Sequence, residues 1–404
     1  MITVITFIVV FGLIIFVHEL GHFVAAKSLG VGVKKFAFGF PPKLWSKKYK
    51  GTEYAINLIP LGGYVKLEGE FDDLEEVETF IVEEEKKPRQ SRKRSGKLFE
   101  QHPLGLIMIF SAGVLMNMVT AVILIWLCFM IGFKPIGLGQ FSQKIYPGID
   151  GSSGVTSTMA VKIDEVEKGT PAETNGLMSG DIIVKVDGEN IYFADEVINT
   201  VQSKINDDGA KVDVVVRREG ALIEKNLSTY RSKIKGSNGE EYETNRIGIV
   251  LSTEGTLKTD PINAFKVAII STGNIAKYTI IGLVDFFVKI FTQFNLSENV
   301  VGPIGLVVTT NYFAHLGLSA IVQFAAILSV SVALFNILPI PALDGGYVAF
   351  TLIEVVTRRK ISLKTKSVIN LVGFAALISL MIVVTFKDFV TFGVSQYILK
   401  LFGS

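Results

Sequence analysis

Two histidines separated by three residues bracket a glutamate in the run His18-Glu19-Leu20-Gly21-His22. On a helix, positions i and i+4 lie on one face a turn apart, so both imidazoles can bind a single zinc ion. Glu19 is then free to act as general base on a water that the metal activates. A zinc site that does chemistry needs three protein ligands and one open position. The chain has four histidines and one cysteine, Cys128, which lies in an apolar run. A thiolate site and an intrachain disulfide are therefore both excluded. Of the other histidines, His102 stands beside Pro103 and His315 at the outer end of a predicted span, so both read as interfacial or capping residues. Asp344 is the better third ligand. In Asn336-Ile337-Leu338-Pro339-Ile340-Pro341-Ala342-Leu343-Asp344-Gly345-Gly346 it is a lone acid in apolar sequence, costly in a bilayer unless paired, protonated or bound to metal. The two prolines break the helix, and broken helix at membrane depth survives only where it is buried in protein or lines a cavity. A helix cap, or a carboxylate paired with lysine, is the alternative reading.

The elements that must position these residues are apolar. Of 404 residues, 49% are hydrophobic and 19% charged, with mean hydropathy +0.45. That composition excludes an ordinary soluble enzyme. A net charge of +2 gives no sign of nucleic-acid binding. Residues 1–17 carry no charged side chain, basic n-region or small-residue cleavage site, so the N-terminus reads as a retained span. The expected fold is a polytopic α-helical membrane protein with four transmembrane helices, a membrane-associated β-hairpin and an extracytoplasmic PDZ-like α+β domain. Its spans are 1–26, which carries the histidine pair, 103–133, 316–354 and 367–386, followed by a tail, 387–404.

Basic residues set the orientation. Seven lysines lie between residues 27 and 60 against one acid, seven more basic residues lie in 86–97, and another cluster lies in 358–366, whereas residues 290–357 contain no Lys or Arg. The positive-inside bias places loops 27–102 and 355–366 in the cytoplasm and region 134–260 outside. The protein is thus expected as a multi-pass membrane protein, its active site nearer the cytoplasmic face. Segment 261–315 contains Lys266, Lys277, Asp285 and Lys289, so it reads as an amphipathic segment along the outer surface, with a fifth span as the alternative.

Within the outward region, residues 155–230 alternate strand-like runs with turns. Their Gly169-Thr170-Pro171-Ala172, Gly176-Leu177, Gly180-Asp181 and Asp187-Gly188 elements resemble PDZ domains of bacterial proteases. That resemblance implies binding of a peptide C-terminus or an extended strand; an unrelated β-rich domain is the alternative. Residues 70–97 are a charge-block insertion, expected to be a loop without chemistry of its own.

Taken together, the His18–His22 motif, the Asn336–Gly346 motif, the Gly62-Gly63 hairpin and the PDZ-like insertion resemble the site-2 protease family, of the bacterial sigma-E-protease type. The resemblance covers essentially the whole chain. It implies intramembrane zinc proteolysis of single-pass substrates already shortened by another protease, such as a pre-trimmed anti-sigma factor or remnant signal peptides. It further implies that one Zn2+ per chain is held by His18, His22 and Asp344, with Glu19 as base. Asn336 matches a position tied to substrate handling. Tyr347 stands where many relatives carry His. Gly113 and Asn117 match a motif on the helix packed against the first, so Asn117 either orients a ligand histidine or joins helices. Gly62, Gly63 and Tyr64 belong to a hairpin whose edge would unfold a substrate by pairing with it; a structural ribbon is the plainer reading. A membrane zinc carrier or PDZ-bearing scaffold without protease activity is the rival function.

Overall fold

The computed structural model describes residues 2–69, 98, 101–136, 142–204, 209–235, 241–293 and 301–391. The charge-block insertion lies outside them, and so does most of the C-terminal tail. Uninterrupted apolar sequence makes long helices: α1 (Ile2–Ser28) and α2 (Pro103–Ile131). Between them, β1 (Val33–Tyr49) and β2 (Thr52–Leu67) pair antiparallel. Both strands are bent. Residues 35–38 of β1 pair with 53–56 of β2 and also with 63–66, so the start of β1 lies between the two halves of β2. The ribbon thus begins at residue 33, well before the hairpin visible in the sequence.

Two compact units emerge from the packing, one formed by Met1–Ala121, Thr279–Leu316 and Phe324–Asp388, the other by Val122–Tyr278, Gly317–Gln323 and Phe389–Ser404. The second holds the soluble domain. Its sheet is built from β3 (Ala160–Val166), β4 (Ile182–Val186), β5 (Lys211–Arg218), β6 (Ala221–Ser228) and β7 (Ile249–Glu254), in the order β7-β3-β4-β5-β6, with the short strand Glu189–Asn190 beside β4. Alternation along β5 buries Val212, Val214 and Val216. They pack with Val197 and Val201 of α3 (Ala194–Ser203). The edge strand β7 falls beyond residue 230, where the sequence pattern places the end of this domain, because its pairing with β3 is non-local.

After the soluble domain come α4 (Pro261–Gln293), α5 (Pro303–Leu316), α6 (Leu318–Asn336), α7 (Asp344–Thr357) and α8 (Leu363–Thr391). Among the described residues five helices are long and apolar enough to cross a membrane, and Pro261–Ile290 is one of them. Its four charged residues do not interrupt the helix, so by length and composition there is one candidate more than the four spans expected. The segment expected as a third span is two helices, α6 and α7, separated by the proline-rich break.

Candidate metal centre and active site

α1 brings His18 and His22 to one face, both buried. α2 packs against that face, and Gly113 allows its approach: a Cβ there would lie 2.5 Å from His22 Nε2 and 2.7 Å from His18 Cε1. Asp344 arrives from the start of α7. Gly345 must be glycine for a similar reason, since a Cβ would lie 2.2 Å from the Ile337 and Leu338 carbonyl oxygens. The break can therefore fold back onto the helix start.

The three ligand atoms converge. Asp344 Oδ2 lies 3.0 Å from His18 Nε2 and 3.3 Å from His22 Nε2, and the two Nε2 atoms lie 3.2 Å apart. A tetrahedral zinc with bonds of about 2.0–2.1 Å sets donor atoms about 3.3–3.4 Å apart. The protonation pattern agrees. The Ile109 carbonyl accepts a hydrogen bond of 2.8 Å from His22 Nδ1, which fixes the proton there and leaves Nε2 bare. Asn117, fully buried, holds its side-chain amide 3.4 Å from His18 Nδ1, while its amide oxygen has no other partner. A half-turn of that amide lets the oxygen accept Nδ1–H and leaves the second Nε2 bare as well. Asp344 Oδ2 is likewise buried without a hydrogen-bond partner. Two imidazole nitrogens and a carboxylate oxygen facing one point suit a cation.

Glu19 sits one residue along α1, its carboxyl hydrogen-bonded by the Val65 backbone N–H on β2. Beside it runs the Gly63–Leu67 half of β2: a Cβ on Gly63 would lie 3.5 Å from Glu19 Cγ. Among the described residues this half pairs only with β1, so its other edge carries no strand. Asn336, at the end of α6, reaches within 3.5 Å of His18 Nε2. Tyr347 stacks on Phe110, with centroids 4.5 Å apart and planes 6° from parallel, one residue from the carbonyl that orients His22.

The sequence-predicted residues His18, Glu19, His22, Asp344, Asn336 and Asn117 therefore meet in one place, and Gly63 borders it. His315 instead bonds the Asn311 carbonyl and His102 the Leu104 N–H, each within its own local turn. Sequence reasoning missed the Ile109 carbonyl and the Val65 N–H, because backbone atoms leave no residue-type signal. The Phe110–Tyr347 stack was also missed, although an aromatic directly after the double glycine is a visible departure.

The profile described as peptidase family M50 matches residues 6–380. A Clostridium perfringens protein provisionally named a zinc metalloprotease is 29% identical over 94% of this chain and 96% of its own length. The zinc metalloprotease RasP of Shouchella clausii is 28% identical over 96% of this chain and 98% of its own. Among solved structures, the PDZ domain of an SdrC-like protein from Listeria monocytogenes is 24% identical and covers 22% of this chain and 85% of that one, at a TM-score of 0.18. Matched along nearly its whole length, the chain belongs to peptidase family M50, the site-2 proteases, and is a zinc-dependent intramembrane peptidase.

Proposed function

We propose that His18, His22 and Asp344 are the zinc ligands, one ion per chain, and that Glu19 is the catalytic acid–base. The observation that carries this is the convergence of three ligand atoms at 3.0–3.3 Å from one another. Bound there, zinc supplies Lewis acidity that polarises the scissile carbonyl and makes water easier to deprotonate. Glu19 takes the proton from water and passes it to the leaving amine. Its hydrogen bond from Val65 holds the carboxyl beside the edge of β2 that carries no further strand among the described residues. A substrate added to that edge as a strand would present its peptide bonds beside Glu19, which a helical substrate cannot do. Gly62, Gly63 and Tyr64 would form this platform, and Asn336 would hold the substrate from the opposite side. Among the described residues this is the one three-residue cluster suited to a metal, whereas a carrier needs polar groups along a path.

The substrates are single-pass membrane segments already shortened by another protease, an anti-sigma factor or leftover signal peptides. The soluble domain faces outward, is PDZ-like and takes a peptide C-terminus or strand. The site lies toward the cytoplasmic side of the bacterial inner membrane, since His22 precedes Lys27 by five residues and Asp344 precedes Arg358 by fourteen. Phe38 packs on Gly12, about 24 Å along α1 from Ser28 at 1.5 Å per residue, so the ribbon reaches into the bilayer beside that helix. Its exposed Phe40, Leu44, Trp45, Leu58 and Ile59 suit lipid.

Four spans, with α4 along the outer surface, fit the chain best. The Gly305 N–H bonds Asp388 Oδ2 at 2.8 Å, which ties the start of α5 to the end of α8 remote from the cytoplasmic loop. A crossing α4 would leave nine residues between Gln293 and Pro303 to recross, about 30 Å even when fully extended, with backbone groups unsatisfied in lipid.

Glu19→Gln tests the chemistry. It should keep its zinc and fail to cleave a reconstituted single-pass substrate; cleavage near the parent rate would remove the assigned base.

A further inference from the structure

Asp344 is the one proposed ligand that α1 does not carry, and it follows a break in the helix. Inside the break, the Ile340 N–H bonds the Leu338 carbonyl at 2.7 Å and the Leu343 N–H bonds the Ile340 carbonyl at 3.2 Å. Ala342 takes a left-handed φ of 73°, a conformation that L-residues with a Cβ hold only when their surroundings over-determine it. Its N–H points away from these local bonds, and at membrane depth it must find an acceptor in the protein.

That acceptor comes from α8. Asn370 Oδ1 receives the Ala342 N–H at 3.2 Å. Three residues on, and so on the same helix face, Gly373 presents a bare backbone. A Cβ there would lie 2.5 Å from Pro341 Cβ and 2.7 Å from the Pro341 carbonyl oxygen. Asn370 and Gly373 together cradle Pro341-Ala342, two residues before the proposed ligand. An amide in a membrane-spanning helix is costly unless it satisfies a group such as this one.

We propose that Asn370 is a positioning residue of the metal centre: by holding Ala342 in its left-handed conformation, it sets where the Asp344 carboxylate meets the histidine pair. The inference rests on Asp344 being the third ligand. Without the bond, Ala342 relaxes toward the broad allowed regions, and the residues after it turn with it. Metal bonds tolerate displacements of only about 0.2 Å, so a modest rotation takes Oδ2 out of reach.

The test uses full-length, zinc-loaded protein in detergent, challenged with a chelating zinc indicator. Asn370→Ala should loosen zinc retention by about tenfold, the scale of lost support for a ligand. On a single-pass substrate it should lower kcat with little change in KM. Asn370→Asp, which keeps the acceptor oxygen, should hold zinc nearly as the parent does. The zinc-free forms of parent and Asn370→Ala should melt alike. Parent-like zinc retention in Asn370→Ala overturns the proposal, and so does a zinc-free Asn370→Ala that melts well below the zinc-free parent, which would make Asn370 a support of the fold alone. If Asn370→Ala does not accumulate, Gly373→Ala tests the cradle from its other side, with the same loosening expected and parent-like retention contradicting it. Asp344→Ala runs alongside. If it retains zinc, the ligand reading itself fails; if it loses zinc while Asn370→Ala does not, only the positioning role fails.

Discussion

Each histidine uses one ring nitrogen for α2 and the other for the point it shares with Asp344. This division of labour makes the site chemically selective, because a proton fixed on Nδ1 is a lone pair delivered at Nε2. Asn117 is therefore expected to act through its oxygen. Asn117→Leu should weaken zinc binding by roughly ten- to a hundredfold, while Asn117→Asp should largely preserve it, as measured by competition with a zinc indicator; equal binding by both variants would leave Asn117 a helix-joining residue. The histidine pair and Glu19 were legible in the sequence because i, i+4 spacing on an apolar run is a geometric statement in itself. Asp344 was legible through its cost, being a lone carboxylate in a segment with no counter-charge. Ile109 was not, since any residue offers a carbonyl and only packing selects which one.

At the scale of elements, α1 would supply two ligands and the base, α2 would set their tautomers, and the broken α6–α7 segment would deliver the third ligand. β2 adds the Val65 backbone N–H, which bonds the Glu19 carboxyl. Replacing Val65 with Pro removes that donor. A hydrogen bond to a charged group contributes about 1.5–3 kcal/mol, so kcat should fall by roughly ten- to a hundredfold while zinc content stays at the parent level. Zinc loss in the variant would show instead that the strand supports the metal site. The sequence announced the ribbon only from its alternating second half. Its first half, around Phe36 and Phe38, reads as a basic loop because lysines interleave with aromatics, and only the double pairing of β1 with both halves of β2 gives those residues a role. The helical character of α4 was legible, and its charges, Lys266, Lys277, Asp285 and Lys289, argued against a span; Asp285 and Lys289 pair at 2.7 Å along the helix.

At the scale of the whole molecule, a membrane-embedded catalytic unit is joined to a soluble domain with its own core and its own electrostatic fastening. Burial alone would raise the Asp181 carboxyl, but two 2.6 Å hydrogen bonds from Arg218 and one of 2.9 Å from the Met178 N–H hold it below the ordinary 3.8. A depressed folded value means that the stabilisation is full above the unfolded value and is lost as pH falls through the folded one. Arg218→Ala should therefore lower the melting temperature of this domain near neutral pH, and its difference from the parent should shrink as pH drops below 3.8. A pH-independent difference would assign Arg218 a packing role. The central claim for the molecule is that one metal ion is held jointly by the first helix and the helix after the proline break. Elemental analysis of purified parent and Asp344→Ala measures this most directly. One zinc per parent chain and a near-empty variant are expected, whereas a parent without stoichiometric zinc, or a variant that keeps it, would rule out a jointly held ion.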